Sequence, residues 1–191
     1  MRLVEQVHLV LKERIQQGDT AIDATVGNGH DTLFLAELVG ERGHVFGFDI
    51  QESAIENTRQ KTSKANLNHR VSLFQRGHQD MYIAVPSQYQ GNIAAIVFNL
   101  GYLPGGDKSV ITQSTNTIAA LNHSLKLLKL TGLLSIVIYP GHPGGDLEAQ
   151  AIGTWVQNLN PGHYKISSSN NSVGLAPKTT SPYWLLIEKI T

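Results

Sequence analysis

The sequence predicts an α/β fold in which a mostly parallel, seven-stranded sheet carries helices on both faces. Short apolar runs alternate with longer segments of helical periodicity through most of the 191 residues, and this alternation is typical of parallel strands joined by helices. Two of the runs, 92–99 and 133–139, are apolar almost throughout. Such strands are buried on both faces by covering helices.

The predicted elements follow one another without a linker or an internal repeat. Strands are expected at 20–26, 44–50, 70–75, 92–99, 133–139, 163–169 and 183–189. Helices are expected at 3–15, 31–39, 53–65, 112–130 and 147–159, with glycines ending the first two. The stretch 168–182 is rich in Ser, Asn, Thr and Pro, so we expect an irregular connection or a flap over a pocket.

The composition is that of an ordinary globular protein, with 41% apolar and 16% charged residues. A formal net charge of zero argues against broad, charge-driven binding of nucleic acid, but it allows a local basic patch. The lack of cysteine excludes disulfides and thiolate chemistry. Charged residues interrupt the N-terminal segment, and no run of about 18 apolar residues occurs. We therefore expect a single cytoplasmic domain spanning residues 1–191.

A glycine loop follows the first predicted strand and reads Asp23-Ala24-Thr25-Val26-Gly27-Asn28-Gly29. Ligands of open α/β sheets bind beyond the carboxyl ends of the strands, and the two glycines allow the backbone to approach a ligand closely. A dinucleotide fold prefers a third glycine where Thr32 stands, and it has little use for an acid near a pyrophosphate. S-adenosylmethionine carries an ammonium group and no phosphate, so the loop favours this molecule over a dinucleotide.

Asp49, at the tip of the second strand, is placed to accept hydrogen bonds from both ribose hydroxyls of an adenosine-type ligand. After the third strand, Gln79 or Asp80 could contact the adenine edge while His78 stacks on the ring. The alternative is structural: the glycines only make a turn, Asp49 and Asp80 cap helices, and His78 is exposed to solvent.

The fourth strand ends in Asn99-Leu100-Gly101-Tyr102, which is similar to the Asn-Pro-Pro-Tyr motif of methyltransferases that act on amines. In that motif the Asn carbonyl accepts a hydrogen bond from the amine, and Tyr packs on the planar face of the substrate. Leu-Gly replaces Pro-Pro here. The alternative is an Asn that simply ends a strand before a flexible turn.

The fifth strand ends in Tyr139-Pro140-Gly141-His142, and the two glycine-rich tips look like two walls of one pocket. His142 could take a proton from an ammonium substrate or orient it, since its ordinary pKa lies near 6.5. We expect no metal site, because no His, Asp or Glu pair has strong metal spacing. A Ser-His-Asp site is also disfavoured, since no Gly-x-Ser-x-Gly elbow occurs.

Three segments together resemble one family. They are Asp-Ala-Thr-x-Gly-Asn-Gly-His-Asp-Thr at 23–32, Phe-Asn-Leu-Gly-Tyr-Leu-Pro-Gly-Gly-Asp-Lys at 98–108 and Tyr-Pro-Gly-His-Pro-Gly-Gly at 139–145. They look like the YtqB/MnmM-type family of class I S-adenosylmethionine-dependent methyltransferases, and the resemblance covers essentially the whole chain. It implies the class I methyltransferase fold, which is Rossmann-like, and a homodimer.

The resemblance also implies roles for individual residues. The predicted cofactor contacts are Asp23, Thr25, Gly27, Asn28, Gly29, Asp31, Thr32, Asp49, Ile50, Gln51, His78, Gln79, Asp80 and Asn99. The predicted catalytic residues are Asn99, Tyr102, Tyr139 and His142.

The activity that the resemblance implies is N-methylation of the 5-aminomethyl group on the wobble 2-thiouridine of tRNA, within the anticodon stem-loop. The products would be 5-methylaminomethyl-2-thiouridine and S-adenosyl-L-homocysteine. His142, a water molecule or Asp107 would remove the amine proton, and lysines such as Lys108, Lys126, Lys129, Lys165 and Lys178 would contact RNA. The alternatives are an rRNA or small-molecule amine methyltransferase on the same fold, or a non-catalytic module that binds S-adenosylmethionine.

Overall fold

The computed structural model describes residues 1–101, 114–141, 144–170 and 181–191. Its centre is one sheet of seven strands in the order β3-β2-β1-β4-β5-β7-β6. The strands are β1 (Thr20–Asp23), β2 (His44–Asp49), β3 (Val71–Gln75), β4 (Ile93–Leu100), β5 (Leu128–Ile138), β6 (Tyr164–Ser168) and β7 (Tyr183–Lys189). All pairs are parallel except those of β7, which runs antiparallel to both β5 and β6. The predicted mostly parallel seven-stranded sheet is confirmed.

Helices cover both faces of this sheet. Those in the described part of the chain are α1 (Leu3–Arg14), α2 (His30–Val39), α3 (Glu52–Lys64), α4 (Met81–Ala84), α5 (Ser114–Leu127) and α6 (Gly145–Gln157). Single 3-10 turns lie at Asn68–Arg70, His78–Asp80 and Ser87–Tyr89. The one-turn helix α4 was not predicted, because four residues are too few to show a helical period. None of the helices in these ranges is long and apolar enough to cross a membrane.

The alternation of side chains along the strands creates two separate cores. In β4, Ile96 and Phe98 point to the face that α5 and α6 cover. Ala95 and Val97 point to the opposite face, where the buried residues of α1 and α2 pack. The sheet is therefore buried on both sides, as the uninterrupted apolar strands predicted.

The junction of α5 and β5 differs from the prediction. The sequence predicted a helix to residue 130 and a strand from 133, whereas β5 begins at Leu128, which pairs with Ile93. The pairing then jumps from Ile93↔Leu128 to Ala95↔Leu133, with Thr131 at a φ of 64°. Short leucine-rich segments satisfy helical and strand patterns equally well, so the bulge was not visible in the sequence.

From β1 the chain continues outward to β2 and β3 at one edge of the sheet, whereas from β4 it continues to β5, β6 and β7 at the other edge. The strand order therefore reverses between β1 and β4. Open α/β sheets bind ligands at this switch point. Past Asp23 the chain bends away from regular pairing, with the Ala24 N–H donating to the Val97 carbonyl at 2.9 Å and the Val26 N–H to the Phe48 carbonyl at 3.1 Å. The predicted strand 20–26 therefore ends at residue 23, and the glycine loop opens above the crevice.

Candidate active site

A cavity of about 1320 Å³ lies at the carboxyl ends of the central strands. This volume exceeds the roughly 300–1,000 Å³ that is typical of small-molecule sites. Its wall contains most of the predicted cofactor residues, namely Thr25, Gly27, Asn28, Asp31, Asp49, Ile50, Gln51, His78, Gln79 and Asn99. The predicted residues thus converge on one cavity that has room for two ligands side by side.

The glycine loop is tied to the tip of β2. The Gly27 N–H donates to one oxygen of Asp49 at 2.8 Å, and the Gln51 N–H donates to the other at 2.9 Å. Gly29 sits in the left-handed region with a φ of 75°, and a Cβ there would lie 2.5 Å from Thr58 Oγ1. Glycine is therefore required at this position, both by the backbone conformation and by the packing of α3.

Asp23 supports the loop from below. Its side chain is fully buried, and it accepts hydrogen bonds from Thr32 Oγ1 at 2.6 Å and from the Thr25 N–H at 3.1 Å. Burial, reinforced by the negative charge of Asp31, raises the pKa of Asp23 to about 7. Asp23 does not line the cavity, so in this structure its carboxylate supports the loop rather than the cavity wall.

Three other predicted cofactor residues, Gly29, Thr32 and Asp80, also do not line the cavity. Gly29 and Thr32 lie in the turn and the first helical turn behind the loop, where they serve its geometry. Asp80 stands at the start of α4 without a side-chain capping bond, so the cap that the sequence suggested is not formed.

His78 is buried rather than solvent-exposed, which rules out the exposed alternative. Its ring packs edge-on against Phe98 at 5.5 Å between centroids. Burial lowers the pKa of His78 to about 4, so the imidazole is neutral at physiological pH. Its Nε2 has no hydrogen-bond partner among the described residues, and the side chain lines the cavity next to Gln79.

Asn99 is held by two hydrogen bonds, while one atom of its side chain has no partner among the described residues. Its N–H donates to Thr25 Oγ1 at 2.7 Å, and its Nδ2 donates to Asp31. Its Oδ1 is buried and has no partner within the described ranges. The Asn99 side chain lines the cavity, and its carbonyl is an acceptor that none of the described residues uses.

His8 of α1 joins this group, and sequence reasoning missed it. Its Nε2 lies 2.6 Å from the second Asp31 oxygen, and its ring stacks on Phe34 with 3.7 Å between centroids and an interplanar angle of 6°. Only the docking of α1 beside α2 brings His8 to the cavity wall. No local motif around residue 8 indicates this contact.

Tyr139 follows the end of β5 and lines the same cavity. Burial, and to a smaller extent the charge of Asp31, raises the pKa of its phenol. A Cβ placed on Gly101 would lie 3.6 Å from the Tyr139 ring, so the tips of β4 and β5 meet as predicted. The other two predicted catalytic residues, Tyr102 and His142, lie outside the described residues, and so does Asp107.

Two arginines, Arg2 and Arg76, line the cavity and were not predicted. Lys129, one of the lysines expected to contact RNA, instead donates to Asp19 at 2.5 Å, beside the start of β1 and thus at the end of the sheet away from the cavity. Lys108 and Lys178 lie outside the described ranges. Within those ranges no cluster of three or more His, Asp or Glu side chains could hold a metal ion.

Comparisons with known proteins match the chain over most of its length. A family model described as "Putative rRNA methylase" matches residues 45–188. A chloroplastic tRNA (mnm(5)s(2)U34)-methyltransferase from Arabidopsis thaliana is 42% identical over 166 residues, which is 83% of this chain. The chain spans 60% of the length of that relative.

Solved structures match the whole chain. A "putative rRNA-methylase" from Clostridium thermocellum is 38% identical, with a TM-score of 0.89, over 100% of this chain and 98% of that one. A "putative methyltransferase" from Streptococcus mutans, in complex with SAH, is 36% identical, with a TM-score of 0.83, over 100% and 99%. The predicted class I methyltransferase fold is confirmed.

Proposed function

The chain belongs to the family described as "Putative rRNA methylase", and we propose that it is an S-adenosylmethionine-dependent N-methyltransferase. Its proposed substrate is the 5-aminomethyl group on the wobble 2-thiouridine of tRNA, and its products are 5-methylaminomethyl-2-thiouridine and S-adenosyl-L-homocysteine. We choose tRNA as the substrate because the name of the Arabidopsis relative contains mnm(5)s(2)U34, which is the methylated product nucleoside.

The observation that carries the proposal is the free carbonyl of Asn99. Its Nδ2 is committed to Asp31, so its orientation is fixed. Its Oδ1 is buried without a partner in the described part of the chain, on a side chain that lines the cavity. A neutral amine has N–H groups to donate and one lone pair to react. An N–H bound to Asn99 Oδ1 would leave the lone pair free to point at a methyl donor.

The cofactor half of the cavity suits S-adenosylmethionine. Each Asp49 oxygen accepts one backbone N–H, and a carboxylate oxygen has a second lone pair, so both ribose hydroxyls could be bound. The unpartnered Nε2 of the neutral His78 and the Gln79 amide offer hydrogen-bonding groups for the adenine edge. Thr25, Gly27 and Asn28 would surround the methionine portion.

When bound, S-adenosylmethionine supplies an electrophilic methyl group. The task of this chain is to hold the amine neutral and in line with that methyl group, and such alignment is worth roughly 7–11 kcal/mol in well-oriented systems. Asn99 orients the amine but cannot remove its proton, because an amide oxygen is a very weak base. His142 remains our predicted proton acceptor. Tyr102 and Tyr139 are proposed to pack against the planar base.

The size of the cavity and its cations support a nucleotide over a free amine. About 1320 Å³ accommodates a base beside the cofactor. Arg76 on the wall can contact phosphates, whereas Arg2 is paired with Glu5 at 2.8 Å.

We also propose a cytoplasmic homodimer, as the family resemblance implies. One continuous sheet containing all seven strands supports a single domain over residues 1–191. Light scattering on the purified protein tests the dimer.

The test uses methyl-labelled S-adenosylmethionine and four acceptors: tRNA carrying 5-aminomethyl-2-thiouridine, tRNA carrying 2-thiouridine without the aminomethyl group, ribosomal RNA, and free small amines. We expect label only in the first, and nucleoside digestion should place it in 5-methylaminomethyl-2-thiouridine. If label appears instead in ribosomal RNA or in small amines, that acceptor and not tRNA is the substrate. Cofactor binding without any transfer would favour a non-catalytic module.

A further inference from the structure

We propose that His8 and Asp31 are positioning residues that fix the amide of Asn99, with its carbonyl toward the acceptor. This inference rests on the function proposed above and assigns a role to α1. The three side chains form a continuous series, from His8 Nε2 to one oxygen of Asp31 and from the other oxygen to Asn99 Nδ2.

The chemistry of the series allows only one orientation of the Asn99 amide. A carboxylate accepts hydrogen bonds and donates none, so the Asn99 atom facing Asp31 must be the NH₂ group. The amide oxygen is then the atom left without a partner among the described residues. Without Asp31 the amide could turn by 180° and present donors, which would repel the N–H groups of an amine.

His8 completes the arrangement by holding Asp31. The His8 Nε2–H occupies the Asp31 oxygen that Asn99 does not use, at 2.6 Å. The His8 ring cannot swing freely, because it lies flat against Phe34. Both partners are largely sheltered, with 24% of the His8 side chain and 12% of the Asp31 side chain exposed. A sheltered contact of this kind is screened less by solvent than a surface ion pair.

The contact at His69 provides a matched control. His69 Nε2 lies 3.0 Å from Glu41, so this is also a pairing of histidine with a carboxylate. Here the side chains are 51% and 73% exposed, and neither residue lines the cavity. Substitutions at His69 therefore report the effect of losing a histidine–carboxylate contact away from the cavity, one that Arg70 also joins.

The kinetic experiment compares His8→Leu, His8→Gln and His69→Leu on the aminomethyl tRNA. We expect His8→Leu to lower kcat by about tenfold or more, since misorientation of reacting groups carries penalties of this size. His8→Gln should recover most of kcat, because its Nε2–H₂ group can still donate to Asp31. The Kd for S-adenosyl-L-homocysteine should change by less than about twofold in each variant, and thermal unfolding should show that each is folded.

The outcomes separate positioning from proton transfer. Wild-type kcat in His8→Leu would overturn the inference. Equal loss in His8→Gln and His8→Leu would also overturn it, because glutamine keeps the hydrogen bond but cannot accept a proton. His69→Leu should match the wild type, and a comparable loss there would show that the effect is not specific to the Asn99 group.

A second measurement does not depend on activity. In ¹⁵N-labelled protein, the Asn99 side-chain NH₂ signals, assigned by their loss in Asn99→Ala, should be protected from exchange in the wild type and in His8→Gln. They should lose protection in His8→Leu but not in His69→Leu. Protection that is unaffected by His8→Leu refutes the positioning role. Protection that responds as expected, in a protein that methylates no acceptor, refutes the proposed function alone.

Discussion

The two halves of the cavity are built in different ways. The cofactor half consists of one glycine loop whose polar groups are bound within the loop or by the next strand, with Thr32 on Asp23 at 2.6 Å and Gly27 on Asp49 at 2.8 Å. The acceptor half is the part of the cavity wall around His8, Asp31 and Asn99, and it joins distant parts of the chain. His8 and Asp31 are separated by 23 residues and Asp31 and Asn99 by 68, and the Asn99 carbonyl is left without a partner in the described structure.

This difference indicates where each half gets its specificity. A loop that satisfies its own hydrogen bonds keeps its shape whether or not a ligand is bound. A buried carbonyl without a partner costs about 1–3 kcal/mol, and a ligand N–H that reaches it removes this penalty. The glycine loop therefore keeps its shape without a ligand, whereas Asn99 Oδ1 in the acceptor half and His78 Nε2 beside the proposed adenine site each lack a partner among the described residues that a ligand could supply.

The largest effect is expected at Asn99. Asn99→Ala removes the free carbonyl but keeps the backbone N–H that binds Thr25. We expect kcat to fall by about a hundredfold or more, while the affinity for S-adenosyl-L-homocysteine stays within about twofold. Single-turnover rates and calorimetry measure the two quantities. A loss of cofactor affinity as large as the loss of rate would show that the two halves are not separable.

Asp49 should show the opposite split. Asp49→Ala removes the proposed ribose acceptor and frees the N–H groups of Gly27 and Gln51. Hydrogen bonds to charged groups contribute about 1.5–3 kcal/mol each, so losing both proposed ribose contacts should lower cofactor affinity by about a hundredfold or more. At saturating cofactor, kcat should remain near the wild-type value. An unchanged Kd would contradict the assignment of Asp49.

Asp23 should make the stability of the cofactor-free protein depend on pH. Its folded-state pKa is raised from 3.8 to about 7, so the folded protein keeps a proton that the unfolded chain loses. Its contribution is complete below about pH 4 and is lost as the pH rises through 7, by on the order of 1 kcal/mol for each pH unit. Urea unfolding of wild type and Asp23→Asn across pH 4–8 should show this fall only in the wild type. Parallel curves would place Asp23 in a solvated setting.

Gly29 tests whether the cofactor loop is as rigid as proposed. Gly29→Ala forces a side chain into left-handed backbone and against Thr58, so we expect a loss of about 1–2 kcal/mol in unfolding free energy. Thr58→Ala removes the clashing Oγ1, which is itself buried without a partner among the described side chains. The double variant Gly29→Ala/Thr58→Ala should recover the unfolding free energy lost to the clash with Thr58. It should not recover the part lost to the left-handed backbone at residue 29. Full recovery would mean that φ at residue 29 carries no cost.

Much of the fold and of the cofactor half could be predicted from the sequence because the signals are local. The loop from Asp23 to Gly29 is contiguous, and Asp49 follows at the tip of the next strand. The apolar runs at 92–99 and 133–139 predicted β4 and most of β5 because they too are contiguous in the sequence. Predictions failed where local pattern and packing disagreed: β5 began at Leu128 rather than 133, and Asp23 supported the loop from beneath rather than lining the cavity.

The sequence by itself determined the sheet and the glycine loop, and it singled out Asn99 as the residue proposed to bind the amine. Only the tertiary structure decided the environment of that residue. The packing of α1 and α2 against the sheet places His8 and Asp31 beside Asn99, and this contact commits the amide nitrogen and frees the oxygen. The physical reason is that a hydrogen bond depends on distance and orientation, and neither is encoded in spacing along a chain when the partners lie on different elements.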